Sequence, residues 1–492
     1  MQRHPAILWM TVAGALAASA CAPKVEPGSP DARQREVASC RQLYSALDAQ
    51  VAEAGVGDGL FTPIAGYPYL RIDRFLASDA TKPEPGGDGF DVWIERLRRL
   101  DLDARRFELW NLPRRGASAP VSVSQRSLED CSALLVKTDL TDTAARRQLL
   151  EAAQVFDEYS VAKRVFGLYP FTSLAFNAGV RALHESMRAD FSASLDSLAV
   201  DGRLTRYHPP PASTAPTTDA AAALVAAASR DALGMPVLST ADLHDLFDAF
   251  APVYEIDVLG DDDRIGSVFW SGGDRPSVDV VRPAVYRRVS YTRFEDRILV
   301  QLNYSVWFPS RPADGDFDLL SGWLDGITLR VTLGADGRPL IYDSMHNCGC
   351  YHLFLPTRRL TSKPPSTAHE EAPLIPQQVE VEKGRVVLRI AHTSHYLQRL
   401  YFDSGVPGGR QYALADDDSL RSLPLASGGR RSLFAADGLV VGSERGERWL
   451  FWPMGIAEPG AMRQWGHHAT AFVGIRHFDD PDVIERYFTS VE

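Results

Sequence analysis

A proline-rich segment separates a part of the chain with helical periodicity from a part with strand periodicity. Residues 208–218 read HPPPASTAPTT, and prolines followed by alanine, serine and threonine cannot bury a core. We therefore predict a linker over residues 206–218. A helical region is expected before it at 33–205, and a β-rich domain after it at 219–492. Helices followed by strands in this order predict the α+β class.

The region before the linker carries apolar residues at helical spacing. In residues 90–100 (FDVWIERLRRL) the large apolar side chains recur three and four positions apart, which is typical of a helix packed on a core. Residues 33–54 also have a helix-forming composition and stop at Gly55. Turn-rich segments such as residues 62–68 (TPIAGYP) interrupt the pattern. We expect helices joined by turns.

The region after the linker begins with two predicted helices and then changes to strands. Turn residues separate short runs that are rich in β-branched and aromatic side chains, which predicts hairpins. The predicted strand pairs are 284–293 with 297–308, 327–333 with 340–345, and 378–382 with 385–392. We expect a predominantly antiparallel sandwich or open barrel, closed by a short helix over residues 481–488.

The first residues have the pattern of an export signal. Arg3 is followed by an apolar run over residues 6–18. This run is shorter than the ~20 residues that a membrane-spanning helix needs. A short basic start, an apolar run and small residues at 18–20 are typical of a secretory signal peptide. We predict a signal peptide over residues 1–20.

Residues 18–21, ASAC, resemble the lipobox of bacterial lipoproteins. The resemblance implies cleavage before Cys21 and a lipid on its thiol, although Ala18 stands where that family prefers leucine. The same residues fit the A-x-A site of ordinary signal peptidase, so a secreted or free periplasmic protein is the alternative. Ala22 is not the aspartate associated with inner-membrane retention. The implied location is the periplasmic face of the outer membrane, with residues 21–32 as a tether.

Composition limits the classes of partner. The net charge is −11, with 23% charged and 45% hydrophobic residues. An acidic chain of ordinary globular composition argues against general nucleic-acid binding, which needs a basic face. The expected partners are the membrane, through the lipid, and an envelope protein or glycan. No phosphate-binding loop, dinucleotide fingerprint, H-E-x-x-H or C-x-x-C motif occurs, so no local motif assigns an enzyme class.

The five cysteines bear on the compartment and on pairing. If Cys21 carries a lipid, four remain, and an even number in an oxidising compartment favours disulfides. Four cysteines allow three connectivities. We favour Cys40 with Cys131 and Cys348 with Cys350. The second bond would span a single glycine and would be strained and easily reduced.

One dense cluster carries potential chemistry. His346, Cys348, Cys350 and His352 recur at every second position, which places them on one face of a strand. Residues two apart on a strand are ~6.7 Å apart, so a straight strand cannot supply four ligands to one zinc ion. A zinc-like site would therefore need further ligands. The candidates are His392, His395, His467 and His468.

Three functions follow from these patterns. The leading hypothesis is a cell-envelope lipoprotein that binds a ligand or a partner. The second is a metal-dependent periplasmic enzyme that uses the cluster at residues 346–352, with Asp343 as a base. The third is a structural component of envelope assembly. A redox or nucleophilic role and a purely structural role are the alternatives to a metal site for the two cysteines of the cluster.

Overall fold

The computed structural model describes residues 30–79, 81–113, 123–210, 217–272, 275–315, 317–363, 370–405 and 408–491. The predicted signal peptide, the predicted lipidation site at Cys21 and most of the tether lie outside these residues. Among the helices described, none combines the length and the apolar character needed to cross a membrane. Helices precede mixed and antiparallel sheets, and the fold is α+β as predicted.

Eleven α-helices lie in the described part of the chain. They are α1 (Pro30–Ala54), α2 (Arg74–Ala77), α3 (Gly89–Asn111), α4 (Gln125–Asp139), α5 (Thr143–Ala152), α6 (Val161–Phe166), α7 (Tyr169–Ser192), α8 (Thr218–Ala227), α9 (Thr240–Phe250), α10 (Arg448–Phe451) and α11 (Val483–Tyr487).

Nineteen strands lie in the same described ranges. They are β1 (Thr62–Ile64), β2 (Tyr67–Ile72), β3 (Arg203–His208), β4 (Val253–Val258), β5 (Ser267–Trp270), β6 (Pro276–Asp279), β7 (Ala284–Phe294), β8 (Arg297–Arg311), β9 (Gly322–Leu333), β10 (Pro339–His346), β11 (Leu353–Pro356), β12 (Leu360–Ser362), β13 (Arg385–Ile390), β14 (Leu397–Asp403), β15 (Arg410–Gln411), β16 (Ala413–Asp416), β17 (Leu423–Pro424), β18 (Arg430–Arg431) and β19 (Phe488–Ser490).

Local sequence explains where several helices begin. The Ser124 hydroxyl accepts a hydrogen bond from the backbone N–H of Ser127 at 3.0 Å, and Asp142 accepts one from Ala145 at 2.9 Å. Ser239 forms a reciprocal capping box at the start of α9. Such side chains satisfy backbone donors that the helix itself leaves unpaired.

The helical region differs from its prediction at residues 62–72. Strands β1 and β2 form a hairpin within residues predicted to be turn and helix. Gly66, with φ of +84°, makes the turn, and β2 is buried against α3. The predicted disulfide between Cys40 and Cys131 is confirmed, and it joins α1 to α4.

Two large sheets form the centre of the β-rich domain, and three two-stranded sheets, β5-β6, β12-β19 and β17-β18, accompany them in the described residues. The first has six strands in the order β11-β10-β9-β8-β7-β16, and the second has five in the order β14-β13-β4-β3-β15. The hairpins β7–β8 and β9–β10 are confirmed. Side chains from both sheets share one hydrophobic core. Within it, the Tyr254 hydroxyl of β4 donates to the Tyr304 carbonyl of β8 at 3.3 Å.

The linker and one predicted hairpin are partly wrong. Strand β3 takes up the first residues of the predicted linker and pairs with β4, while residues 211–216 lie outside the described ranges. Residues 378–382 contribute only a single bridge at Val379. Strand β13 pairs instead with β14 and, in parallel, with β4. Strand propensity and a Lys-Gly turn are local signals. They could not identify β4, which is distant in sequence, as a partner of β13.

Candidate functional site

The loop between β10 and β11 carries the cysteines of the predicted cluster. The backbone N–H of Gly349 donates to the His346 carbonyl at 2.7 Å, and that of His346 donates to the Cys350 carbonyl at 2.9 Å. Gly349 has φ of +93°, and a Cβ there would lie 2.5 Å from the Ala469 carbonyl oxygen. Only glycine fits this position without strain. The tight turn, not an extended strand, determines how the two thiols are placed.

Both cysteines of this loop are free thiols, so the second predicted disulfide is not present in the structure. The Cys350 thiol is hydrogen-bonded to Cys348, and this bond lowers the pKa of Cys348. The Arg445 guanidinium lowers that pKa further, whereas burial opposes both effects. The same pairing and burial raise the pKa of Cys350 well above its usual value. The arrangement therefore favours a thiolate at Cys348 and a thiol at Cys350.

A cavity of about 170 Å³ lies beside this loop. Helix α7 contributes Val180, Leu183 and His184 to its wall, and the loop contributes both cysteines. The rings of Phe176, Phe451 and Phe472 pack against one another beside it, with centroids 4.8 to 6.4 Å apart. The remaining wall is mostly apolar. It includes Leu320, Leu374, Ile456, Pro459, Ala469 and Ala471.

Glu447 is an acidic group in the cavity wall. Glu447 is only 4% exposed. Burial raises the pKa of Glu447 to about 7, against the opposing influence of Arg445 and Arg311. A carboxyl group with a pKa in this range can both donate and accept a proton at neutral pH. The cavity therefore places a potential proton carrier with the two thiols.

His352 supplies a second polar atom. Its Nε2 is hydrogen-bonded to Asp343 Oδ2 at 2.9 Å, whereas its buried Nδ1 has no hydrogen-bond partner. Burial lowers the pKa of His352 to about 4, so the ring is neutral at pH 7. Because Nε2 donates to the carboxylate, Nδ1 is left as an acceptor. Unpaired buried acceptors are costly unless a water or a ligand satisfies them.

A buried charge network lies behind the thiols and centres on Asp325. Arg445 Nη2 lies 3.1 Å from Asp325 Oδ1, and His395 Nδ1 lies 2.8 Å from Asp325 Oδ2. His395 Nε2 faces Asp263 Oδ1 at 3.5 Å. Burial raises the pKa of Asp325, but Arg445 and His395 hold it well below its usual range. Burial lowers the pKa of His395, but the two carboxylates raise it overall.

Backbone strain is concentrated around this network. Seven non-glycine residues in the described ranges have left-handed φ angles. Four of them, with φ of +54° to +58°, are Leu324, Tyr351, Thr393 and His395. Each adjoins or belongs to the network or the cysteine loop. Left-handed conformations cost about 1–3 kcal/mol at such residues and tend to occur at functional sites.

The structure distributes the predicted metal ligands among different carboxylates. His346 and His395 adjoin Asp325. His352 bonds to Asp343, His392 bonds to Asp201 and His467 bonds to Glu158. His468 is buried, and burial lowers its pKa to about 3. The described residues include one group of three that lies close enough to share an ion: Asp201, Asp257 and His392. The eight predicted ligands are therefore not brought together.

Asp343 is also unsuited to the role of an accessible base. It is 1% exposed and forms a buried ion pair with Arg330. Burial raises its pKa, but Arg330 and His352 hold that pKa below the usual value. A carboxylate already bonded to two partners has little capacity to take a proton from a substrate.

Sequence patterns missed the residues that surround the thiols. Arg445 and Glu447 stand in the segment SERGER, which has the composition of an ordinary turn. Asp325-Gly326 has the pattern of a turn but lies inside β9. There Gly326 allows close approach, because a Cβ would lie 2.6 Å from the Val306 carbonyl oxygen. The mid-strand glycine was the available signal for such an approach.

Comparison with known proteins adds no assignment. No family model, curated protein or solved structure matches the chain.

Proposed function

We propose that this chain is an exported envelope lipoprotein, anchored through Cys21, that binds a small, largely apolar ligand with one polar group. The observation that carries the proposal is the cavity of about 170 Å³ beside the Cys348–Cys350 loop. A cavity of about this size can hold a single aromatic ring. Ligand sites commonly combine apolar walls with a few polar groups that fix orientation.

The polar atoms of the wall limit the chemistry of the ligand. His352 Nδ1 offers an acceptor, and Glu447, while protonated, offers a donor. A hydroxyl or a carboxylic acid can donate to the first and accept from the second. A pure hydrocarbon would leave both groups unpaired, and each unpaired buried group costs about 1–3 kcal/mol.

An exposed apolar face supports the membrane as the source of the ligand. Helices α7 and α10 contribute to the cavity wall, and these two helices together with α6 and Leu168 expose large apolar side chains. This apolar face consists of Val161, Val165, Phe166, Leu168, Phe171, Leu174, Trp449 and Leu450. Phe166 is 80% exposed and Trp449 74%. Large exposed apolar patches commonly mark membrane or protein contacts.

Two features support the envelope location. The chain begins with the signal-like segment and the lipobox-like residues 18–21. The disulfide between Cys40 and Cys131 favours an oxidising compartment such as the periplasm. We propose the periplasmic face of the outer membrane as the location, with the lipid as the membrane contact.

Binding of benzyl alcohol and toluene to the purified full chain tests the ligand proposal. Both molecules carry one ring, but only the alcohol can bond to His352 and Glu447. We expect benzyl alcohol to bind about tenfold more tightly than toluene by isothermal titration, which corresponds to one additional net hydrogen bond. His352→Gln should reduce this preference.

A cavity-filling substitution provides the control. Ala471→Leu adds volume to the cavity wall and should abolish binding of both molecules. Ala413→Leu, at an exposed position of β16, is the matched control and should bind as the original chain does. Binding that Ala471→Leu leaves unchanged would place the ligand elsewhere and would contradict the proposal.

A further inference from the structure

We propose that Cys348 and Cys350 form a redox-active dithiol that exchanges with a small, largely apolar disulfide in the cavity. The inference goes beyond ligand binding and depends neither on lipidation nor on retention of a benzyl-type ligand. It starts from geometry: two free thiols in one tight turn line the same cavity. Cys350 is partly exposed, whereas Cys348 is buried at 3%.

The position of the two sulfurs distinguishes their roles. The thiolate is the form that attacks a disulfide. A hydrogen bond from Cys350 and the charge of Arg445 lower the pKa of Cys348, although burial opposes them, and we therefore assign the attack to this sulfur. Cys350 keeps its proton until the first step is complete and then acts as the resolving sulfur. A pair of this kind completes the exchange without a second protein molecule.

The surrounding charges support a thiolate in a buried place. Arg445 is the cation that favours the Cys348 thiolate, and Arg445 is itself paired with Asp325 at 3.1 Å. Burial raises the pKa of Glu447 to about 7, so in its protonated form this residue adds no negative charge beside the thiol. A partner cation and a neutral carboxyl group reduce the cost of burying a thiolate.

The reaction balances with an organic disulfide R–S–S–R′ as the oxidant. The Cys348 thiolate bonds to the R-bearing sulfur, the S–S bond breaks, and R′–S⁻ leaves with the electron pair and takes the proton of Glu447. Glu447 then accepts the proton of Cys350, whose sulfur attacks Cys348. R–S⁻ leaves and takes that proton. Two electrons pass to the substrate, and the products are two thiols and a Cys348–Cys350 disulfide.

The product bond would span only Gly349. Such a bond is strained and therefore easily reduced by other thiols. The reduced dithiol is accordingly the resting form in this proposal. Disulfides whose leaving thiols are strongly acidic, such as aromatic disulfides, are the substrates that drive the reaction forward.

Titration of the native full chain with dithiodipyridine, a neutral aromatic disulfide, tests the proposal. We expect the loop to release two thiopyridone molecules and to retain no adduct, and peptide mass spectrometry should locate a Cys348–Cys350 bond. Cys350→Ser should release one and keep an adduct on Cys348. Cys348→Ser should react about tenfold or more slowly, because Cys350 remains a thiol. Cys40 and Cys131 are bonded to each other and therefore have no free thiol that contributes to the titration.

Stable adducts on both cysteines of the native chain, or no reaction at either, would overturn the proposal. Equal rates for the two single variants would also contradict it. If a variant fails to fold, the unsubstituted chain still tests the proposal, because peptide mass spectrometry shows whether Cys348 and Cys350 are bonded to each other. Failure of benzyl alcohol to bind, with exchange intact, would refute the proposed ligand and leave the dithiol assignment standing.

Discussion

Arg445 links the buried carboxylate of Asp325 to the thiol of Cys348. Its Nη2 lies 3.1 Å from Asp325 Oδ1, and both side chains are at most 2% exposed. The same guanidinium lowers the pKa of Cys348. One buried cation thus stabilises the charge network behind the loop and favours the thiolate form of Cys348 in front of it.

Substitution of Arg445 tests this double role. Arg445→Met should destabilise the fold by about 3–5 kcal/mol, because it leaves Asp325 buried without its main partner. Arg448→Met removes a half-exposed ion pair with Glu458 and should cost less than about 1 kcal/mol. Chemical denaturation measures both effects.

The rate of Cys348 alkylation separates the electrostatic role of Arg445 from its structural one. Arg445→Lys keeps a cation and should retain more of the alkylation rate near pH 7 than Arg445→Met. Equal rates in the two folded variants would show that the charge at residue 445 does not affect the thiol.

The pH dependence of stability tests the burial of Glu447. Burial raises the pKa of Glu447 to about 7, above the ~4.3 expected in the unfolded chain. The folded protein therefore binds the proton more tightly, and stability falls as the pH rises from about 4.5 to 7. The slope from this group is at most about 1.4 kcal/mol per pH unit.

Glu447→Gln should flatten that slope, as measured by urea denaturation at several pH values. Glu444→Gln, three residues earlier and exposed, is the matched control and should keep the slope. An unchanged slope in Glu447→Gln would mean that the carboxyl ionises normally.

Gly349 determines the shape of the cysteine loop. Gly349→Ala should destabilise the protein by more than the about 1–3 kcal/mol of a left-handed alanine, because its Cβ would lie 2.5 Å from the Ala469 oxygen. Gly428→Ala has a similar φ of +87° with nothing within 4 Å and isolates the conformational cost. Similar denaturation midpoints for the two variants would contradict the close packing of the loop.

The disulfide between Cys40 and Cys131 should stabilise the fold without affecting the cavity. It joins residues 91 apart in sequence, and in the chain-entropy model its loss costs about 4–5 kcal/mol. The Cys40→Ala, Cys131→Ala chain should unfold at lower urea concentration but keep the native reactivity of Cys348. A change in that reactivity in the folded protein would connect two regions that the account treats as independent.

Mass spectrometry of the mature N-terminus tests the anchor. We expect residue 21 to be the first residue and to carry a lipid mass on Cys21. An unmodified N-terminal Cys21 would support a free periplasmic or secreted protein. The lipid-anchor proposal would then be wrong, while the cavity proposals would be unaffected.

Local patterns predicted the elements whose stability is local. The apolar spacing of Phe90, Trp93, Ile94 and Leu97 identified α3, and all four side chains are buried. The Asp336-Gly337 turn identified the β9–β10 hairpin. The parallel pairing of β13 with β4 was not predicted, because it joins strands more than a hundred residues apart and no local signal specifies it.

The candidate site was predicted by residue type but not by arrangement. Cys348, Cys350 and His352 were identified, and all three line the cavity. Because the cluster residues recur at every second position, the sequence placed both cysteines on one straight strand. In the structure, Gly349 turns the chain between them. Arg445 and Glu447 are about a hundred residues away from the thiols in sequence. They were not predicted, because charged residues in a turn-like segment are ordinarily solvated.

Protection of Cys348 by a bound ligand tests most directly whether the cavity and the thiols form one site. The rate of alkylation of Cys348 by iodoacetamide is measured with increasing benzyl alcohol, with modified peptides quantified by mass spectrometry. We expect the rate to fall about tenfold at a ligand concentration ten times the dissociation constant, because occupancy follows mass action. An alkylation rate that saturating ligand leaves unchanged would show that the cavity and the thiols are separate sites.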